Sequence, residues 1–392
     1  LAKRLDGSNA LEDWTLELII DTSEETGMST PHYLKEPGVR PPAFGIVFDA
    51  TWTIRGEKGS ERPTFSVENK QNKQGLWVES ITPTLGPINQ LPDHVVVRIE
   101  GDSREALDVF AETVMETYAA FSFDDEEYRR ADLFVERDRD AVLLSANVSG
   151  AQHGSAPHAN RAEGANPLVS LTNFVAHLND EGVLSENGIT RMCEFIAWTW
   201  GTHVFGEHHP DLLERHDDVF DQGNGTTYAI TQFSGDGENV TLGVDIRYAL
   251  GHNDTPWDGK TEGLVGGKSI FSTVFPKLIA QFQDAHPGSE ITVETRTGNT
   301  PDLRNPDNPH LLRLKKVYEQ VVGPERPFKL RAIGGGTDAK GPPELIAAGP
   351  LFDDTIGPPI NLHGLNEAAP LDDLKLSAKI LYLLFLNEVL GE

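Results

Sequence analysis

A single cysteine, Cys193, excludes an internal disulfide framework. Its setting, Arg191-Met192-Cys193-Glu194-Phe195-Ile196-Ala197-Trp198, suits a buried structural thiol better than a nucleophile. Cations are scarce as well: 33 Lys and Arg stand against 61 Asp and Glu, a net charge of −28 over 392 residues. No basic face forms easily from that balance, which argues against nucleic acid or an anionic membrane as a partner. The same balance favours solubility and would suit a salty habitat. No apolar run is long enough to span a membrane, and Ile380 to Leu386 reads as a buried helix. An internal repeat is absent. The start, Leu1-Ala2-Lys3-Arg4-Leu5, has neither an initiator Met nor a signal-peptide pattern and enters as though in mid-domain, so a fragment or processed chain is expected. The location expected is cytoplasmic, and the length suits two domains better than one core.

What is present begins with Leu16-Glu17-Leu18-Ile19-Ile20, which reads as a short buried strand running into Asp21-Thr22-Ser23-Glu24-Glu25-Thr26-Gly27. Two adjacent carboxylates where a strand becomes a loop are costly without a counter-charge. A metal ion provides one, and two glutamates can divide the labour, one binding the metal and the other moving protons. In so acidic a chain, a lone Glu-Glu pair would be a solvated turn, so its weight depends on the residues downstream. Met28 to Lys35 reads as a short helix, broken by Pro37 and Pro41-Pro42. Phe44 to Ala50 reads as a second buried strand ending in the carboxylate of Asp49. Acids delivered at successive strand ends fit an α/β sheet with its site beyond the carboxyl ends of the strands. Glu25 and Asp49 have the chemistry for a hard or borderline dication such as zinc or manganese.

From Arg62 the texture changes. Thr64 to Glu68 and Val95 to Ile99 read as strands, and Ser103 to Phe121 as a helix with Leu107, Phe110, Val114 and Met115 at helical spacing. Strand-like Ala141 to Leu144 leads to the turn Ser149-Gly150-Ala151-Gln152-His153-Gly154-Ser155-Ala156-Pro157 and a helix from Asn166 to Leu178. A strand at Asn239 to Tyr248, a helix at Ser272 to Asp284 and a strand at Glu290 to Thr295 come next. This order reads as a compact α+β domain inserted into the first. Thr297 to Asn308, rich in Pro, Asn, Asp and Gly, is the expected return linker. An amphipathic helix at Leu311 to Val322, a Gly334-Gly335-Gly336-Thr337-Asp338-Ala339 loop, the segment Asn361-Leu362-His363-Gly364-Leu365-Asn366-Glu367 and a final helix from Leu371 complete the chain. Asp372 and Asp373 favour the first turn of that helix through the macrodipole.

These pieces, in this order, resemble the dinuclear zinc metallopeptidases that include bacterial dipeptidases, carnosinases, aminoacylases and succinyl-diaminopimelate desuccinylases. The closest resemblance is to the PepV-type dipeptidases, and it runs from Asp21 to the C-terminus. It implies a mixed-sheet α/β catalytic domain, incomplete at its N-terminus, over residues 1–61 and 304–392, with an α+β lid domain over 62–303. Carried over residue by residue, it makes Glu24 the general base, Glu25 and His363 metal ligands, and Asp49 a ligand of the other metal. His153 of the lid would stabilise the tetrahedral oxyanion, with Asn89 in Asn89-Gln90-Leu91-Pro92-Asp93 near the same oxygen. Arg247 would hold the substrate, a role that suits the bidentate guanidinium. The backbone of Gly335, Gly336 and Thr337 would approach the substrate's C-terminal carboxylate, where only small residues permit it. The implied cofactor is two Zn2+ ions, with Mn2+ or Co2+ as alternatives. Short peptides are the implied substrate, and a second copy of the chain the implied partner.

Each residue also has an ordinary reading. Asp49 could cap a strand end, His153 could be a turn histidine, Arg247 could pair with a surface carboxylate, and the glycines could form a tight turn. Glu207-His208-His209, with His216 beyond it, is read as a solvated loop rather than a second metal site. His158 and His177 read as lid-surface residues, and Asp338 as a residue that holds the glycine loop. The chain departs from the family in one respect: no histidine precedes Glu24, so the upstream His-x-Asp ligand and the bridging aspartate are missing. The expectation is that this polypeptide alone binds metal poorly and hydrolyses little. The alternatives are a deacylase or desuccinylase of N-acyl amino acids on the same fold, and a non-catalytic peptide-binding pseudoenzyme.

Overall fold

The computed structural model describes residues 14–24, 28–149, 153–214, 219–220, 225–235, 237–288, 290–296, 298–355 and 368–390. The chain divides into two units. Leu1–Lys58, Thr255–Gly266 and Pro301–Glu392 form the first, and Gly59–Asp254 with Gly267–Thr300 the second. The fold is mixed α/β, with parallel and antiparallel pairings both present.

In the first unit the strands are short. Gly45–Val47 runs parallel to Leu345–Ala347, and Ala50–Thr51 parallel to Pro350–Leu351. Ile54–Glu57 lies between Asp302–Leu303, antiparallel, and Arg331–Ile333, parallel. The helix Pro309–Val322 starts where Asn308 accepts hydrogen bonds from the N–H groups of His310 and Leu311, with Pro309 fixing the first turn. Its buried residues Leu311, Leu314, Val317 and Tyr318 follow the helical period and share a core with Ile380 and Leu384 of the helix Leu371–Leu390. Each such fully buried aliphatic side chain contributes about 1.5–3 kcal/mol relative to exposure.

Several expectations fail here. Leu16 to Ile20 is neither a strand nor buried: Leu18 is 84% and Ile20 78% exposed. An apolar run proposes a strand, but a neighbour must pair with it, and no described strand runs beside this one. The expected strand at Phe44 to Ala50 is reduced to half-buried Gly45–Val47, and the expected helix at Met28 to Lys35 to the four residues Thr30–Tyr33. The expected linker contains a buried strand, Asp302–Leu303, followed by buried Arg304. That guanidinium donates to the carbonyls of Leu345, Ala339 and Pro342 and to Asp302, so the segment locks neighbouring loops together.

The second unit holds two sheets. One runs Thr227–Ser234, Asn239–Tyr248, Thr64–Glu68, Thr292–Glu294, with Gly59–Glu61 also paired to Asn239–Tyr248. The other runs Leu76–Pro83, His94–Gly101, Ala141–Asn147, Leu133–Arg137, antiparallel throughout. Val95, Val97 and Ile99 alternate into the core with half-buried residues between them, as a one-sided strand requires. Helices Arg104–Ala120, Pro167–Asp180, Gly188–Thr199 and Phe271–Ala285 add Phe110, Phe174, Phe195 and Phe275 to the same core. Cys193 is buried inside Gly188–Thr199, and burial pushes its thiol well above the ordinary value, so it acts as a core side chain. Among the described residues no helix is long and apolar enough to cross a membrane.

Candidate active site

In the first unit, the acidic turn is organised by Asp21. Its carboxylate accepts from the N–H and hydroxyl of Ser23 on one side and from the N–H groups of Ser29 and Thr30 on the other. Four donors on one carboxylate pin both ends of the turn and hold Asp21 well below the usual carboxylate range, the Ser29 bond counting most. Glu24 sits half-buried within this turn, and Met28 N–H bonds back to its carbonyl at 3.2 Å. Glu25 lies outside the described residues, as does His363.

The turn is tied to the glycine loop. Thr30 Oγ1 donates to Asp338 Oδ2 at 2.8 Å, and Asp338 also lies within hydrogen-bond reach of Asp21. Burial, and then the contact with Asp21, push the Asp338 carboxyl up, while Asp21 is held down. Next along, Thr337 donates its hydroxyl to Glu57 Oε1 at 2.6 Å and its N–H to Oε2 at 3.1 Å. Burial pushes the Glu57 carboxyl up to about 7, against the pull of the Lys340 charge. Gly334, Gly335 and Gly336 are half-buried. A Cβ on Gly336 would come within 3.1 Å of Met28 Cε, whereas one on Gly335 would meet nothing within 4 Å. A side chain at Gly336 would therefore have to push the end of Met28 aside by a few tenths of an ångström, whereas one at Gly335 would meet open space.

Asp49 lies just past the strand Gly45–Val47 and is exposed. Among the described residues, neither it nor Glu24 joins a group of three metal-capable donors; the one such group lies in the second unit. The described donors do not by themselves assemble a metal centre around Glu24 and Asp49.

In the second unit, three residues singled out from the sequence come together. A backbone bridge between Gln90 and His153, with Gly154 N–H donating to Asn89 O at 2.7 Å, sets the histidine turn against the Asn89 segment. The Asn89 carboxamide reaches His153 Nε2 at 3.1 Å. At the other ring nitrogen, the Ser155 N–H donates to Nδ1 at 3.1 Å and the Ser155 hydroxyl lies 2.6 Å away. The group of Asn89 that faces Nε2 is its amide nitrogen, so the ring stands between an amide N–H on one side and Ser155 on the other. The glycine after His153 is required, because a Cβ there would approach Ala229 Cβ to 3.0 Å and Asp245 Oδ2 to 3.3 Å. That carboxylate accepts from Arg247 Nε at 2.9 Å, two residues along the same strand and on the same face. Asp245 is fully buried and Arg247 nearly so, and the terminal Nη groups of Arg247 make no hydrogen bond among the described residues.

Three residues that shape these sites carry no role that the sequence alone assigns: Asp21, Glu57 and Asp245. Asp245 and Arg247 share a strand face by simple alternation, a signal the sequence contains. The Glu57–Thr337 contact joins residues 280 apart and leaves no local signal.

No family model matches the chain, and no curated protein matches it by sequence. Solved structures do match. Human carnosine dipeptidase 1 is 11% identical, with 93% of this chain and 64% of that one covered and a TM-score of 0.38. A tripeptidase from Staphylococcus aureus is 12% identical, with 94% and 62% covered and a TM-score of 0.42. Aminoacylhistidine dipeptidase from Vibrio alginolyticus is 12% identical, with 89% and 68% covered and a TM-score of 0.36. The chain thus spans less than two thirds of the first two of these proteins.

Proposed function

We propose that the protein containing this chain is a metal-dependent peptidase of the PepV type that hydrolyses dipeptides and other short peptides. The observation that supports this reading best is the arrangement in the second unit. His153 Nε2 stands 3.1 Å from the Asn89 amide nitrogen, and a buried carboxylate holds an arginine by Nε while its Nη groups make no hydrogen bond among the described residues. Donors on His153 and Asn89 suit an oxygen that gains negative charge during acyl transfer. Arg247, oriented by Asp245, suits the free carboxylate of a short peptide, because its two Nη groups can bind both oxygens at once. By the resemblance, the backbone of the Gly335–Gly336–Thr337 loop would serve the substrate's C-terminal carboxylate, with the Thr337 N–H itself held by Glu57, and Glu24 would take a proton from the attacking water.

Metal dependence enters this proposal through the resemblance at Glu25, Asp49 and His363. A bound dication, zinc in the first instance, would lower the pKa of water and polarise the scissile carbonyl.

The test is a substrate panel on the native full-length protein supplied with Zn2+, Mn2+ or Co2+. Dipeptides with a free C-terminal carboxylate are expected to be hydrolysed and their C-terminal amides are not. In Arg247→Met the loss should fall mainly on KM. Faster turnover of N-acetyl or N-succinyl amino acids than of dipeptides would overturn the dipeptidase assignment in favour of a deacylase. Peptide binding without turnover with any of the three metals would favour a non-catalytic binder.

A further inference from the structure

The loop expected to be solvated is not. After the helix Gly188–Thr199 the chain folds back, and His203, His208 and His209 are all half-buried; His216 lies outside the described residues. Their neighbour is the segment after helix Arg104–Ala120, which presents Asp124 and Asp125. Asp124 Oδ2 is 2.6 Å from His208 Nε2 and 3.7 Å from His203 Nε2. The three side chains can each bring one ligand atom within 4.8 Å of the other two. Zinc bound to two imidazole nitrogens and a carboxylate oxygen at about 2.0–2.2 Å needs ligand atoms about 3.3–3.5 Å apart in a tetrahedral arrangement. Adjustments of a few tenths of an ångström to about an ångström would produce it.

Two of the three side chains, His208 and Asp124, already have the surroundings a metal site requires. Metal-binding histidines usually donate their second N–H to a carbonyl or carboxylate, which fixes the ring and leaves the other nitrogen's lone pair on the metal. His208 Nδ1 lies 3.1 Å from the carbonyl of Trp198. His203 Nδ1 faces Glu207 Oε1 at 3.7 Å and Asp125 Oδ2 at 4.0 Å. Asp124 has its other oxygen, Oδ1, occupied by the N–H and hydroxyl of Thr202, which leaves Oδ2 for the two rings. Asp125 is matched by a two-pronged bond from Arg161, so it adds little net charge. His209 is turned away: its Nε2 lies 3.1 Å from the Trp198 carbonyl, and its ring packs on that indole. Gly201 completes the arrangement. Its φ is +55°, and a Cβ there would sit 1.9 Å from Asp124 Oδ2 and 2.7 Å from His208 Cε1. Only glycine leaves this space open.

We propose that Asp124, His203 and His208 form a binding site for one borderline dication, zinc in the first instance, within the second unit. Two imidazoles and one carboxylate are a donor set for zinc, and the fourth position is left to water. The site would cross-link the Asp124 segment to the Thr202–His209 loop, residues 84 apart in the chain at the His208 contact. It shares no residue with the proposed peptidase site. Without metal the His208–Asp124 hydrogen bond closes the gap. That bond, together with the weaker contact to Trp198, outweighs burial and raises the affinity of the imidazole for its proton.

The test is a Zn2+ titration of the full chain, stripped of metal, against a chromophoric chelator. It is run on the wild type, on Asp49→Ala/His363→Ala, which removes two proposed catalytic ligands, and on Asp124→Asn/His208→Gln. The first two proteins are expected to bind one Zn2+ at this site with equal affinity, while the third binds it more than about 100-fold more weakly. In the wild type, saturating Zn2+ is expected to raise the thermal unfolding midpoint by about 5 °C. If the third protein does not fold, Co2+ added to Asp49→Ala/His363→Ala decides the matter, tetrahedral visible bands being the expected result. Equal Zn2+ affinity with and without the Asp124 and His208 changes, or no tetrahedral Co2+ spectrum, would overturn the site. Failure of the dipeptide substrate panel would leave it untouched.

Discussion

Glu57 makes pH a probe of single side chains. It is buried, and its carboxyl is pushed up from 4.5 to about 7 in the folded state. A raised carboxyl pKa means that the folded protein holds a proton the unfolded chain has lost. Its contribution to stability is full below about 4.5 and declines as pH rises towards about 7, by on the order of 3 kcal/mol. When protonated, Glu57 can donate to the Thr337 hydroxyl while still accepting its N–H, and glutamine reproduces that pattern. Glu57→Gln should therefore match the wild type in urea midpoint near pH 5 and exceed it near pH 8. A pH dependence as steep as that of the wild type would count against this account. The acids Glu24, Glu25 and Asp49 gain their weight, and Asn89, His153 and Arg247 their roles, from resemblance to a family. Nothing in local spacing says that Asn89 and His153, 64 residues apart, will touch. The Asp124–His208 pair shows the converse. The Glu207-His208-His209 run is visible in the sequence, but its partner Asp124 is not, and without the partner the run reads as a solvated loop.

At the scale of elements, regular periodicity is easily read and isolated short segments are not. The helices at Arg104–Ala120, Pro309–Val322 and Phe271–Ala285 and the strand Asn239–Tyr248 lie within a few residues of their expected bounds. Each of the three helices buries a face with the helical period, while the strand is buried on both faces from Leu242 to Tyr248. Gly188–Thr199 is hard to read as a helix, because ten of its twelve residues are buried, the polar Thr190, Arg191 and Glu194 among them. What starts it is the capping box of Asn187 and Thr190, reinforced by a bond from Asn187 Nδ2 to the Val78 carbonyl. Asn187→Ala removes both and should cost about 2 kcal/mol in denaturant unfolding. Asn187→Ser, which keeps a cap acceptor and loses the Val78 bond, should lie between this variant and the wild type. Leu16 to Ile20 fails for the opposite reason, since it has the composition of a buried strand without a described strand beside it. Leu18→Ser/Ile20→Ser should lower self-association in light scattering, as exposed apolar segments of this kind promote it.

For the whole molecule, the net charge of −28 acts on stability as well as on choice of partner. Repulsion among carboxylates opposes the compact state, and salt screens it. The thermal midpoint should rise as KCl goes from about 0.1 M to about 1 M, where the Debye length falls from about 10 Å to about 3 Å. A flat or falling midpoint would mean that local pairing already offsets the repulsion. The mixed α/β class is legible because strand and helix patterns alternate along the chain. The way several segments build one unit is harder to read, since Thr255–Gly266 belongs with the first unit although it lies between parts of the second. It is held there by the pairing of its short strand, Gly263–Leu264, with Asp302–Leu303 and by bonds from Asn305 and Asn308 to the Glu262 carboxylate. Peptide hydrolysis with Glu24 as the base is decided by dipeptide turnover of the native full-length protein and its Glu24→Ala variant, with folding checked by circular dichroism. The expected result is a fall in kcat of about 10²–10⁴-fold with the fold retained. A Glu24→Ala protein that hydrolysed dipeptides at the wild-type rate would contradict it.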